Sequence, residues 1–279
     1  MEPMTLSRLS SSQNPLLKTV RLVASGSHRA PDDLVAAEGV RVLEEANRAG
    51  CRIESVVLSE HFGFAERERN LLITWQSKGV PAYRVDEKLF QSVSGVQTPQ
   101  GAIALVRIPK RSLESIVPAR NALFLCACGI QDPGNLGTLI RTAVASGVSL
   151  FCTTPGTVSA KNPKALRSSA GAIFSLPLVE HVDLEDLLSY CSRHSIRAYR
   201  ADPRQGTPYT KADLRKSSAV FLGNEGSGIH ADAAARLSAI HIPMASGTES
   251  LNVAIAGAVI LFEAFRQRRT RGRSPRSRP

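Results

Sequence analysis

Residues 121–141 read NALFLCACGIQDPGNLGTLIR, and this stretch decides the fold. Residues 122–128 form a continuous apolar run, the pattern of a strand buried on both faces of a parallel sheet. Pro133 and Gly134 then force a turn, and Gly137 permits close backbone packing one turn into a helix that reaches about residue 146. Residues 148–153 return as a strand. A strand, a tight corner, a helix and a strand make the repeating unit of an open α/β sheet. Such sheets bind ligands beyond the carboxyl ends of their strands.

Two later stretches share this build. GNEGSG at 223–228 follows the apolar residues 219–222, and IPMASGTESLNV at 242–253 joins a strand at 239–243 to a helix from Ser250 to about residue 267. In the first corner Asn135 stands where a helix N-cap would fall, with Arg141 further along. A helix N-terminus beside an arginine favours an anion. Taken alone, a cap and a surface cation explain the pair equally well. In the second corner backbone groups could grip a small ligand and Glu225 could accept a hydrogen bond, although a glycine turn after a strand is often only structural. Its glycines, at relative positions 1, 4 and 6, do not make the dinucleotide fingerprint, which argues against an oxidoreductase. In the third corner Ser250 is a good N-cap. Asn252 precedes 253–262, an all-apolar run that reads as a helix buried on every side. A buried amide left unpaired costs about 1–3 kcal/mol, so Asn252 requires partners, in neighbouring loops or in a ligand.

The rest of the chain alternates in the same way. Residues 14–23 begin a first folded unit; 34–46, containing Glu38-Gly39, has helical spacing; 53–58 reads as a strand and 71–78 as a helix. A short strand at 82–85, a helix at 86–91 capped by Asp86, and a strand at 102–108 complete a small α/β unit. In the second unit, further strands are expected at 175–179, 196–201, 219–223 and 239–243, with helices at 184–194, 230–237 and from 250. The expected organisation is a polar, disordered N-terminus at 1–13, a smaller domain at 14–108, a basic Pro-bounded linker at 109–120, a second domain at 121–267 and a basic, disordered tail at 268–279.

The net charge of +11 is concentrated at the end of the chain. Seven arginines lie between Arg266 and Arg278, no acid follows Glu263, and the remainder carries +4. Such a tail is either a solvated terminus or a sequence-independent contact to nucleic acid. The five cysteines show no CxxC pair or zinc-ligand spacing, so neither a metal site nor a disulfide framework is expected. No apolar run approaches the ~20 residues a membrane helix needs, and the Ser-rich start lacks a signal-peptide core; a cytoplasmic address is expected.

The ordered trio Asp132 to Ala143, Leu222 to Ile229 and Ile242 to Val253 resembles the three signature motifs of the SpoU/TrmH branch of SPOUT RNA 2′-O-ribose methyltransferases. The resemblance spans about 122–267. More loosely, the N-terminal unit resembles the substrate-binding domain carried by many of these enzymes, Glu38-Gly39 included. It implies a trefoil-knotted α/β catalytic domain with a parallel sheet, a smaller α/β RNA-binding domain, a homodimer, and S-adenosylmethionine as cofactor. By position it implies Gly223, Ile242, Leu251, Glu225, Gly226 and Ser250 at the cofactor, and Asn135, Arg141, Glu225, Ser250 and Asn252 as catalytic residues. Lys164 and Arg167, in a basic stretch at 161–171, are candidate RNA contacts or simply a solvated helix start. The implied substrate is structured RNA, ribosomal (23S) before transfer RNA. A non-catalytic RNA-binding scaffold of the same fold is the competing expectation.

Overall fold

The computed structural model describes residues 6–245 and 249–269. These form two compact units: the residues up to Lys110 together with Lys161–Ser175, and Arg111–Ala160 together with the residues from Leu176 onward. Residues 161–175 thus pack with the first unit although they lie between strands of the second.

In the first unit a mixed sheet has the order β1 (Ser7–Arg8), β4 (Ala82–Arg84), β3 (Arg52–Leu58), β5 (Ala102–Arg107), β2 (Leu34–Glu38), with β5 antiparallel to both neighbours. The expected disorder of 1–13 is corrected at Ser7 and Arg8, which pair with β4 as an edge strand. The helical reading of 34–46 is corrected here. Residues 34–38 are a strand with Val35 and Ala37 pointing inward, and only α2 (Val40–Arg48) is helical. Gly39, at φ +98°, separates them in a conformation that a side chain resists. Asn14 caps α1 (Pro15–Ala24) by accepting from the Leu16 amide at 2.9 Å, and Asp86 caps α4 (Glu87–Val93) through Leu89 at 2.8 Å. The helix expected at 71–78 starts earlier, as α3 (Glu66–Ser77), because the Glu68 carboxylate accepts the Ala65 amide at 3.2 Å and the Gly63 amide at 2.9 Å. Leu17, Val57, Phe90 and Ile103 form the core between helices and sheet. The short α6 (Pro163–Ser168) also belongs to this unit.

The second unit is an all-parallel sheet of seven strands. Its order is β10 (Thr207–Pro208), β12 (Ser238–His241), β9 (Arg197–Ala201), β11 (Ser218–Leu222), β6 (Leu123–Ala127), β7 (Leu150–Thr153), β8 (Leu178–Val179). Every residue of β6, β7 and β11 is buried, as the continuous apolar runs require. Helices α5 (Pro133–Ala145), α7 (Leu184–Arg193), α8 (Ala231–Ala234) and α9 (Val253–Arg269) accompany the sheet, and α9 packs against α5. Gly257 makes that approach possible: a Cβ there would lie 2.6 Å from Leu139 and 2.8 Å from Leu222.

Cys126, Cys128, Cys152 and Cys191 are buried and none is in a disulfide. Burial pushes the Cys128 and Cys191 thiols up to about 12, so they behave as core residues rather than nucleophiles. Among the described residues no helix is long and apolar enough to cross a membrane. Helix α9 departs from expectation twice. It is not buried on every side, since Ile255 is 51% and Phe262 48% exposed. It also runs through Arg269, past the expected start of the basic tail at 268. The rest of that tail, from residue 270, lies outside the described residues.

Candidate functional site

In a parallel sheet all carboxyl ends share one edge. Here β12, β9, β11 and β6 are consecutive neighbours, so the corners after β6, β11 and β12 meet although they are remote in sequence. They enclose a cavity of about 770 Å³, a size typical of small-molecule sites. Its apolar side is formed by residues such as Leu222, Ile240, Val253 and Ile260.

Asn135 sits at the centre of the polar side. It is not the N-cap of α5; that role falls to Asp132, whose carboxylate accepts the Asn135 amide at 2.8 Å. Pro133 takes the first helical position, which moves the cap back by three residues. The Asn135 side chain is thereby freed. Its Nδ2 donates to Glu225 Oε1, and its Oδ1 accepts from Asn252 Nδ2 at 3.0 Å. Asn252, exposed rather than buried as expected, in turn accepts the Ala254 amide at 2.9 Å and the Ile255 amide at 3.3 Å. It, rather than the expected Ser250, therefore caps α9. One hydrogen-bonded chain, Glu225–Asn135–Asn252, ties the three corners together.

The GNEGSG corner is held internally. Asn224 donates to the Gly129 carbonyl at 2.8 Å, and its Oδ1 accepts the amides of Gly226 and Ser227 at 2.9 and 3.1 Å. Backbone bonds between Asn224 and Gly228 close the loop. Gly223 must lack a side chain, because a Cβ would fall 2.5 Å from the Gly228 carbonyl carbon.

Asn135, Gly223, Glu225, Gly226, Ile242, Ser250, Leu251 and Asn252 all line the cavity. Arg141 does not. It is exposed on α5, six residues beyond Asn135, which in a helix means about 9 Å along the axis and about 120° around it. Among the described residues it makes no hydrogen bond or ion pair. Lys164 and Arg167 lie on α6 in the first unit and are not among the residues lining this cavity. Sequence reasoning missed two contributors. Asn224 organises the second corner from within a motif already singled out. The end of β9 supplies Ala201 and Asp202, with no glycine to mark it. Asp202 pairs with Arg200 and accepts the amides of Arg204 and Gln205 at 2.9 and 2.8 Å. Burial raises its carboxyl, but these donors outweigh that and hold it below the usual carboxylate range.

Residues 122–262 match the SpoU rRNA Methylase family model, and residues 14–104 match the MRM3-like substrate binding domain. The 23S rRNA (guanosine(2553)-2′-O)-methyltransferase RlmP of Bacillus subtilis is 28% identical over 258 residues, covering 92% of this chain and 98% of that one. A crystal structure of an RNA 2′-O ribose methyltransferase superposes with a TM-score of 0.78 at 31% identity, covering 94% of this chain and 99% of that one. The AdoMet-bound rRNA methyltransferase of Sinorhizobium meliloti gives 0.82 at 25% identity, covering 94% and 98%.

Proposed function

The chain belongs to the SpoU rRNA methylase family, and from that premise we propose that it transfers a methyl group from S-adenosylmethionine to a ribose 2′-oxygen of 23S ribosomal RNA. The observation that carries this reading is the Glu225–Asn135–Asn252 chain at a cavity of small-molecule size. The cavity suits the cofactor: it offers an apolar wall for a base and backbone groups of the 223–228 loop for polar contacts. When bound, the cofactor supplies a methyl group already activated on a sulfonium. Gly223, Gly226, Ile242, Ser250 and Leu251 would hold it, and the clamped Asn135 would keep the corners in register. What remains is to orient a poor nucleophile and stabilise charge as the 2′-oxygen passes its proton to solvent water. Arg141 is assigned that electrostatic role, since a guanidinium with a pKa above ~12 cannot serve as a base.

The test is a map of 2′-O-methyl groups in total RNA from cells with and without the gene. One 23S position, for which the guanosine methylated by the Bacillus relative is the first candidate, should lose its methyl group. A loss confined to transfer RNA would redirect the assignment. Cofactor binding without any lost methyl group would leave only an RNA-binding scaffold.

We propose further that the active form is a homodimer. Ile255 and Phe262 are seven residues apart on one face of α9, with half-buried Val259 between them, and Val144 is exposed on α5. An apolar stripe of this kind is what a second copy would cover. Arg141 lies one turn from Val144, so assembly through this stripe would bring Arg141 to the joint. Phe262→Glu is expected to halve the mass seen by light scattering; an unchanged mass would refute this interface. With ribosomal RNA as substrate, the compartment is that of the ribosomes, the cytoplasm in a bacterial cell.

The Gly223 contact gives a second expectation. Gly223→Ala should weaken cofactor binding at least about tenfold in calorimetry, because the added methyl forces the Gly228 backbone out of place. Undiminished affinity would remove this loop from the cofactor site.

A further inference from the structure

We propose that the first unit contacts RNA at the corner where β2 ends, through the loop 94–101 together with Arg29, Arg41 and Arg167; the proposal rests on RNA being the substrate. The strand ends in Glu38, a half-buried carboxylate. It accepts from Ser94 Oγ at 2.9 and 3.0 Å and from the Gln100 amide at 3.3 Å, fixing both ends of that loop. Burial raises the Glu38 carboxyl, while Ser94, the loop amides and the charge of Arg167 act in the opposite direction. Two glycines leave the loop no room to shift. A Cβ on Gly39 would lie 2.6 Å from the Gln100 side-chain oxygen, and one on Gly95 would lie 2.8 Å from the Ala24 carbonyl oxygen.

What this pinned loop shows to solvent is uncharged and able to hydrogen-bond: Gln97, Thr98 and Gln100 are all exposed. Amide and hydroxyl groups of that kind suit the edges of unpaired bases. Cations reach the corner from three distant parts of the chain. Arg41 is the second residue of α2. Arg167 lies on α6, whose Pro163 and Leu166 pack beside Glu38, Val42 and Gly95. Arg29 follows Gly26, where a Cβ would lie 3.1 Å from Pro163. Among the described residues these three arginines make no ion pair, and all three are exposed. The acids close to them in sequence are already engaged: Asp32 with Lys110, Asp33 with Arg107, Glu44 with Arg67 and Glu45 with Arg48. The corner therefore presents an excess of positive charge, three arginines against the carboxylate of Glu38, around a pinned, uncharged loop. Phosphates would take the arginines, and bases the loop.

The sequence at 161–171 pointed to Lys164 and Arg167 alone. The structure adds Arg29 and Arg41, and it gives Glu38 a positioning role. The experiment uses the full chain and a labelled 23S rRNA transcript, with affinity measured across a salt series and without cofactor. For the double variant Arg41→Glu, Arg167→Glu, the Kd should rise more than tenfold, and the slope of log affinity against log salt should fall by about two. Arg29→Ala should lower the slope by about one. Glu38→Gln keeps the shape of the side chain and removes no cation. It should raise the Kd severalfold with the slope unchanged, an effect that simple loss of a phosphate contact would not give. Cofactor affinity and melting temperature should match those of the native chain in every variant. Native Kd and slope in the double variant would overturn the proposal. A native chain that binds the transcript at this corner yet methylates no RNA would overturn the catalytic reading and leave this one standing.

Discussion

Replacing Arg141 by alanine is expected to slow methyl transfer by about a hundred- to a thousandfold while leaving cofactor affinity within about twofold of native. The two readouts separate because of where the residue sits. The cavity wall is built by Asn135, Glu225 and Asn252, which hold one another without any contribution from Arg141. The arginine is exposed on α5 and supports no buried contact, so its removal should change stability by no more than about 0.5 kcal/mol. On the proposed assignment, what disappears is a positive charge that acts on the ribose oxygen as it becomes negative. Arg141→Lys keeps the charge but loses the planar fork of donors, and should fall between the two. Single-turnover rates with saturating cofactor, beside calorimetric titration of the cofactor, make the comparison. A parallel fall in cofactor affinity would move Arg141 into the cofactor site, and an undiminished rate would remove it from the reaction.

The parallel sheet of the second unit was legible because strands buried on both faces must be apolar throughout, and residues 122–128 and 219–222 are. The three corners were legible for a related reason: glycine and asparagine just past a strand signal a turn that brings backbone to a ligand. Exact roles within the corners were not. Asp132 and Asn135 are both competent caps, and which one acts depends on Pro133 occupying the first helical position. Likewise Ser250 and Asn252 both qualify, and the choice follows from where α9 begins. Residues 34–38 were misread because their apolar spacing runs on into α2 with only Gly39 to interrupt it. The end of β9 was legible as a strand end but not as part of the site, since Ala201 and Asp202 enter the site through strand order alone. The packing of 161–175 with the first unit is a long-range outcome that local composition cannot encode.

Arg268→Ala is expected to destabilise the folded chain by about 3 kcal/mol, which for a domain of this size lowers the melting temperature by roughly 6–12 °C. By composition Arg268 belonged to the basic tail, a solvated terminus or a nucleic-acid contact. The structure instead turns its guanidinium inward. Nε donates to the Leu214 carbonyl at 2.8 Å, Nη1 to Asn121 at 2.5 Å, and Nη2 to Lys216 at 2.8 Å and Ala122 at 3.4 Å. These carbonyls lie where the chain enters β6 and β11, so one side chain fixes the last turn of α9 to the start of two central strands. Partial burial lowers the pKa of the guanidinium, yet it stays charged, because arginine begins so far above neutrality. Gln267 reinforces the attachment: it donates to the Ala212 carbonyl and accepts the Leu214 amide, both at 3.0 Å. Truncation would leave several carbonyls short of a donor, and lysine could not restore them, since one ammonium cannot span the same set. Both Arg268→Ala and Arg268→Lys should therefore melt early, with the salt dependence of RNA binding unchanged for the fraction that stays folded. A native melting temperature combined with a shallower salt slope would return Arg268 to the RNA-binding tail.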